Sequence, residues 1–258
     1  ACIVGGASGM EGAAVLAARA ALHAGAGRVY LASLSARDSG PIDAEIMHRP
    51  LLHAHDLDAL PLAGASVAAG CGGGQAITEH LPALLQHTAR LILDADALNA
   101  IASDTALAGW LAQRQQPTIL TPHPLEAARL LGGTAADIQQ QRLQAASQLA
   151  QRWQAIVVLK GSGTVVAAPP ALGMEPVIVH AGNAHLATAG TGDVLAGTIA
   201  AYWAQAHARN PAESAWQQAF DVACAAVQAH GRAADLWPAA RGTLTAGQLA
   251  SALQRLPG

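Results

Sequence analysis

The stretch Gly190-Thr-Gly-Asp193-Val-Leu-Ala-Gly197 sets one carboxylate between a glycine–threonine turn and an apolar run that reads as a helix. Backbone N–H groups in the first turn of a helix lack internal partners and carry partial positive charge, so a glycine-bearing entry into a helix makes an anion site. Gly190, Thr191 and Gly192 would form that anion hole. Asp193 would stand at the same helix start, where the dipole lowers its pKa and a nearby anion raises it. The plain alternative is a helix cap, because Asp and Thr are favoured there.

Working outward, strands are expected at 1–4, 28–33, 66–69, 90–93, 118–120, 155–159, 164–168 and 176–179. Helices are expected at 13–24, 76–87, 104–114, 125–131 and 137–153, with mostly helix from Asp193 onward. The runs at 164–168 and 176–179 are separated by turn residues and read as a hairpin. Segment 34–61, rich in proline and histidine, reads as an irregular surface excursion. Such alternation predicts an α/β fold, a mainly parallel sheet with helices on both faces. No repeat or linker divides the chain, so residues 1–258 are expected to form a single domain.

The chain has 258 residues, 52% of them hydrophobic, enough to bury a large core. Net charge is −3, from 14 basic and 17 acidic residues, with no basic stripe, which argues against nucleic acid. The longest apolar run, 194–204, is well short of the roughly 20 residues a membrane span needs. Cys2, Cys71 and Cys224 are scattered, odd in number and lack C-x-x-C spacing. Neither a disulfide framework nor a thiolate metal site is suggested, and a reducing, cytoplasmic compartment fits. The chain begins directly on a strand, with no signal peptide, and is expected to be a piece cut from a longer protein or to have lost part of its first strand.

Lys160 is the only lysine. It closes the strand Val157-Val-Leu-Lys160-Gly161 at the carboxyl end, where ligands bind in open α/β sheets. A phosphate contact is expected, and a snorkelling lysine is the alternative. No P-loop and no G-x-G-x-x-G fingerprint is present. Glycine clusters at Gly5-Gly6, at Gly70-Cys-Gly-Gly-Gly74 and at Gly161-Ser-Gly163 fall at other strand ends. Thr121-Pro-His-Pro-Leu-Glu126 fixes His123 and a glutamate on a rigid turn. Asp94 and Asp96 read as helix-capping residues, with a hydrated Mg²⁺ as the alternative. His53-Ala-His55-Asp56 reads as a solvated loop, not a metal site.

Taken together, the Gly5–Ala13, Leu93-Asp-Ala-Asp-Ala-Leu-Asn99, Thr121–Glu126, Val158–Gly161 and Gly190–Gly197 stretches resemble the ADP/ATP-dependent (S)-NAD(P)H-hydrate dehydratase family. The resemblance covers nearly the whole chain and implies a three-layer ribokinase-like fold. It implies a lyase that repairs hydrated NADH or NADPH with ADP or ATP and Mg²⁺. Asp193 would be the general base and would contact the hydrated ring. Lys160, Gly161, Ser162, Gly163, Thr164 and Gly192 would bind the nucleotide. Ala13, Gly72, Gly74, His123 and Asn183 would line the hydrated cofactor's pocket, and no protein metal ligand is assigned. A homo-oligomer and a partner epimerase for the hydrated cofactor are also implied. This chain departs from the family's Gly-Pro-Gly with Gly70-Cys-Gly72, and from its Pro-Gly-Met after Asn183 with Ala184-His-Leu186. Two other functions remain open, a kinase of the same fold acting on a small vitamin or sugar hydroxyl, and a nucleotide-binding regulator without turnover.

Overall fold

The computed structural model describes residues 1–36 and 43–256. In chain order its elements are β1 (Cys2–Gly5), α1 (Glu11–His23), β2 (Val29–Ser33), β3 (Ile46–Pro50), β4 (Ser66–Ala69), α2 (Ile77–His87), β5 (Arg90–Leu93), α3 (Ala95–Ser103), α4 (Thr105–Gln113) and β6 (Thr118–Leu120). There follow α5 (Pro124–Leu131), α6 (Ala135–Gln140), α7 (Arg142–Trp153), β7 (Ile156–Leu159), β8 (Thr164–Ala167), β9 (Val177–Val179), α8 (Thr191–Arg209), α9 (Ala215–Asp235) and α10 (Ala246–Ala252). All the strands share one sheet in the order β3-β2-β1-β4-β5-β6-β7-β8-β9. Pairing is parallel from β3 to β7, and β8 and β9 then add as an antiparallel hairpin, as expected.

Side chains alternate across the sheet and meet a helical layer on each face. Ile3 of β1 joins the cluster built with α1, α8, α9 and α10. Its neighbours Cys2 and Val4 join the other, built with α2 to α7. Helix α8 lies directly on α1, because a Cβ at Gly197 would fall 2.0 Å from the Ala17 carbonyl oxygen. Only glycine allows that separation, which holds the start of α8 against the sheet.

Three expectations need correction. The excursion at 34–61 contains an edge strand, β3, paired in parallel with β2, and a short 3-10 turn at Ala54–Ala59; its residues 37–42 lie outside the described ones. The helix expected over 137–153 is two, broken at Gln141, whose φ of −132° and ψ of 48° leave helical space. The Asp94–Asn99 stretch does enter a helix, α3, but its N-cap residue Asp94 makes no side-chain capping bond. His53 and His55 are exposed and stacked, with Asp56 accepting from the Leu52 and His53 amides, in keeping with a solvated segment.

Candidate active site

The carboxyl ends of β1, β4, β5, β6 and β7 fall on one edge of the sheet. The loops leaving them are tied together by backbone bonds from Gly70 to Val4, Asp94 to Ala69, Thr121 to Leu93 and Lys160 to Pro122. Lys160 therefore emerges facing the turns after β5 and β6. Its Nζ donates to Asp94 Oδ1 at 2.6 Å and lies 4.0 Å from Glu126 Oε2. Thr121 Oγ1 donates to the same Asp94 oxygen at 2.7 Å. Asp94 is thus an ion-pair partner, not the cap expected of it, because its side chain turns across the strand ends instead of along α3. Asp96 is not a cap either, and its Oδ2 accepts from the Gly74 amide at 2.8 Å. Burial alone would pull the Lys160 ammonium down, but Asp94 and Glu126 outweigh it and hold its pKa above the ordinary value.

Asp193 is half-buried in the first turn of α8, behind the N-cap Gly190. Desolvation, and next the Asp94 charge, push its carboxyl up to about 6. The nearby Cys71 thiol and the Lys160 charge pull the other way, while the thiol's own hydrogen bond runs to Asp94 Oδ2 at 3.8 Å. The lowered pKa expected from the helix dipole is overturned, since loss of solvent and a neighbouring carboxylate exceed what a helix end supplies. Cys71 was not foreseen. Its Sγ and the carboxylate oxygens of Asp94 and Asp193 all lie within 4.8 Å of one another.

On one side of Asp193 a cavity of about 480 Å³ opens, lined by Lys160–Thr164, Asn183, Thr191, Gly192 and His230 among others. Its size suits a nucleotide. Arg142 braces the lining turn by donating from its guanidinium to the Leu159, Lys160 and Gly163 carbonyls at 3.0, 3.4 and 3.2 Å. His230 Nε2 lies 2.9 Å from the Thr191 carbonyl oxygen. Burial lowers the His230 pKa to about 4, so a neutral ring donates its Nε2 proton to that carbonyl and ties α9 to the entry of α8.

The other expected pocket residues lie outside the lining of that cavity. The position a Cβ would take on Gly72 is 2.9 Å from the Ala13 Cβ, so those two residues are in contact, and Gly74 adjoins Met10 in the same way. His123 caps α5. Its Nδ1 accepts from the Leu125 and Glu126 amides at 3.1 and 3.2 Å, and its Nε2 stands 3.3 Å from Glu126 Oε1. Glu126 connects it to Lys160. Burial lifts the Glu126 pKa, with Lys160 opposing and Asp94 adding. Asn183 is the exception: it sits in the cavity beside Lys160–Thr164, where Nδ2 donates to the Ala234 carbonyl and Asp235, both at 3.1 Å. Sequence reasoning missed Cys71, Arg142 and His230, each of which acts on a distant segment and carries no local signal.

With this geometry in place, the likeness to known proteins is informative. A family model described as NAD(P)H-hydrate dehydratase matches residues 1–255. The chain is 40% identical over 263 residues to the ADP-dependent (S)-NAD(P)H-hydrate dehydratase of Neisseria meningitidis serogroup B, covering 98% of this chain and 83% of that one. It is 38% identical to the bifunctional NAD(P)H-hydrate repair enzyme of Escherichia coli K12, covering 98% of this chain and 46% of that one; the chain spans about half the length of such bifunctional relatives. Among solved structures, the ADP/ATP-dependent NAD(P)H-hydrate dehydratase of Bacillus subtilis, co-crystallised with ATP and Mg²⁺, superposes with a TM-score of 0.77 at 28% identity, covering 97% of this chain and 86% of that one. From its first residues to its last helix, the chain belongs to the NAD(P)H-hydrate dehydratase family.

Proposed function

We propose that the chain, acting as one domain, uses ADP or ATP to dehydrate (S)-hydrated NADH or NADPH to the intact dihydronicotinamide cofactor. The observation that carries this reading is the Asp193 carboxylate in the first turn of α8, next to Gly192 in the lining of a nucleotide-sized cavity, with desolvation pushing its pKa up to about 6. A base poised just below neutral pH is ionised in use and still basic enough to take a proton in the transition state. Asp193 removes the proton of the ring hydroxyl, and that oxygen attacks the terminal phosphorus, displacing AMP from ADP or ADP from ATP. The amides of Gly190 to Gly192 stabilise charge on the moving phosphoryl group. The hydroxyl has then become a phosphate ester, a far better leaving group. The ring nitrogen's lone pair expels inorganic phosphate, and loss of a proton from the adjacent ring carbon restores the double bond.

Lys160 supports phosphate binding from the cavity's edge, held in place by Asp94 and Glu126. Cys71, Asp94 and Asp193 do not fit a resident Mg²⁺, since Asp94 is engaged by Lys160 and Thr121 and a thiol is a soft ligand. Mg²⁺ would come bound to the nucleotide's phosphates, neutralising part of their charge.

Three wider readings go with this one. The names of the bifunctional relatives support an epimerase as functional partner, supplying the (S) form. The exposed Val177 and Ile178 on edge strand β9 support a homo-oligomer. Free cysteines support a cytoplasmic setting. No helix among the described residues is long and apolar enough to cross a membrane.

The test is recovery of dihydronicotinamide absorbance when hydrated NADPH, Mg²⁺ and either ADP or ATP meet the protein, with Asp193→Asn alongside. Recovery with one nucleotide, lost by at least about a thousandfold in the variant, is expected and identifies the donor. Equal recovery by the variant would refute the assignment of the base.

A further inference from the structure

We propose that His230 is a positioning residue for phosphoryl transfer, its Nε2–H holding the Thr191 carbonyl so that the Gly192 N–H, on the other side of the same peptide bond, stays aimed at the moving phosphoryl group. The inference rests on the proposed transfer at the Gly190–Gly192 turn. It gives a role to a ring from α9 that lies 39 residues beyond Thr191 in the chain.

The contact itself fixes which partner donates. His230 Nε2 lies 2.9 Å from the Thr191 carbonyl oxygen, and a carbonyl oxygen can only accept. The proton is therefore on Nε2. In a planar trans peptide the C=O and the N–H point in opposite directions. A donor on the Thr191 oxygen thus sets the direction of the Gly192 N–H and, by polarising the peptide, strengthens it as a donor. That N–H lies in the first turn of α8, where the helix supplies no partner of its own.

The turn needs such a hold. It is entered at Gly190, whose φ is 90°, and it passes through Gly192, so glycine's conformational freedom flanks Thr191 on both sides. Thr191 is gripped at two points. Its hydroxyl, 2.8 and 2.9 Å from the Leu186 and Thr188 carbonyl oxygens, ties it to the segment before the helix. Its carbonyl is tied to α9 through His230. The ring has a firm base, because a Cβ on the adjacent Gly231 would fall 2.5 Å from the Ala181 carbonyl oxygen, so α9 is packed closely on the segment after β9.

Gly192 stands where a phosphate would be met. A Cβ there would lie 3.3 Å from Lys160 Nζ, and Lys160, Thr191, Gly192 and His230 line the same cavity. The ammonium and the Gly192 backbone thus converge on one place, as binding of an anion requires. His230 adds no charge to it. Burial lowers the ring's pKa to about 4, so near neutral pH it acts through the Thr191–Gly192 peptide and not as a second cation.

The experiment measures kcat with hydrated NADPH, and the Kd of the preferred nucleotide by calorimetry, on the full chain in wild type, His230→Leu and His230→Gln. Leucine fills a similar volume without a donor, and glutamine carries an amide N–H near the place of Nε2. His230→Leu should lower kcat roughly 10- to 100-fold while weakening nucleotide binding less than about threefold. His230→Gln should recover most of the lost kcat. A leucine variant with kcat within about threefold of wild type, a loss of nucleotide affinity as large as the loss of kcat, or a glutamine variant as slow as the leucine one overturns the proposal. Wild-type protein that binds nucleotide yet turns over no hydrated NADPH would instead overturn the underlying reading. If His230→Leu does not fold, nitrogen NMR of the wild-type ring decides. Near neutral pH, His230 should be the tautomer with its proton on Nε2, and a proton on Nδ1 overturns the proposal.

Discussion

Asp193 ionises against its surroundings, and the cost should be visible in stability. Its folded pKa of about 6 lies above the ordinary 3.8. The stability it contributes while protonated is therefore present below about pH 4 and lost as pH rises through about 6. Asp193→Asn removes a carboxylate that must ionise in a half-buried site. It should raise unfolding stability by about 1–2 kcal/mol at pH 8 and by much less at pH 4, measured by urea denaturation at both values. In wild type the same carboxyl should set an acid limb, with kcat/KM falling below about pH 6 as it protonates. Lys160 is the opposite case, a cation that its neighbours need. Lys160→Met strands Asp94, which is nearly inaccessible at 2% side-chain exposure, and should destabilise by about 2–4 kcal/mol. Adding Asp94→Asn should recover part of that loss, so the double variant is more stable than additivity predicts.

At the scale of elements, the close crossing of α1 and α8 fixes the turn that carries Asp193. Gly197→Ala forces a methyl into the Ala17 carbonyl and should cost more than about 2 kcal/mol, with a larger loss of activity than of nucleotide binding. Gly109, in α4, has nothing within 4 Å of an added Cβ. Gly109→Ala should therefore stabilise the protein by about 0.5–1 kcal/mol, and urea midpoints of both variants check the pair. The same contrast explains what the sequence made legible. Buried parallel strands such as 90–93 and 118–120 are short, mostly apolar runs opened by a single polar residue, and their limits were read to the residue. Strand β3, Ile46-Met-His-Arg-Pro50, is a half-exposed edge with no apolar run and a terminal proline, so its composition reads as loop. The break at Gln141 falls within a run of three glutamines, which signals nothing. Just past the break, Arg142 donates to the Leu159 and Gly163 carbonyls of the turn after β7. Likewise, glycine turns and strand-end residues marked the site's outline, whereas the Asp94–Lys160 pair spans 66 residues and had no local trace.

For the whole molecule, the proposed function divides the work along the sheet edge: the nucleotide in the cavity lined by the turn after β7, the segment after β9, α8 and α9, and the hydrated ring toward the Ala13–Gly72 contact beside β1 and β4. A ligand that binds only the folded state should stabilise it by mass action, so the donor nucleotide at a hundredfold its Kd should add about 2.7 kcal/mol. A dehydratase and a kinase on this scaffold would share the cavity, the base and the cation, and both would consume nucleotide. They part at the fate of the phosphoryl group. The decisive measurement is a simultaneous record of inorganic phosphate and dihydronicotinamide absorbance as the protein turns over hydrated NADPH with its preferred nucleotide. The dehydratase account predicts that both rise together, one phosphate for each cofactor restored, with no stable phosphorylated product. Nucleotide consumption that yields a stable phosphorylated compound, with neither free phosphate nor recovered absorbance, would contradict it.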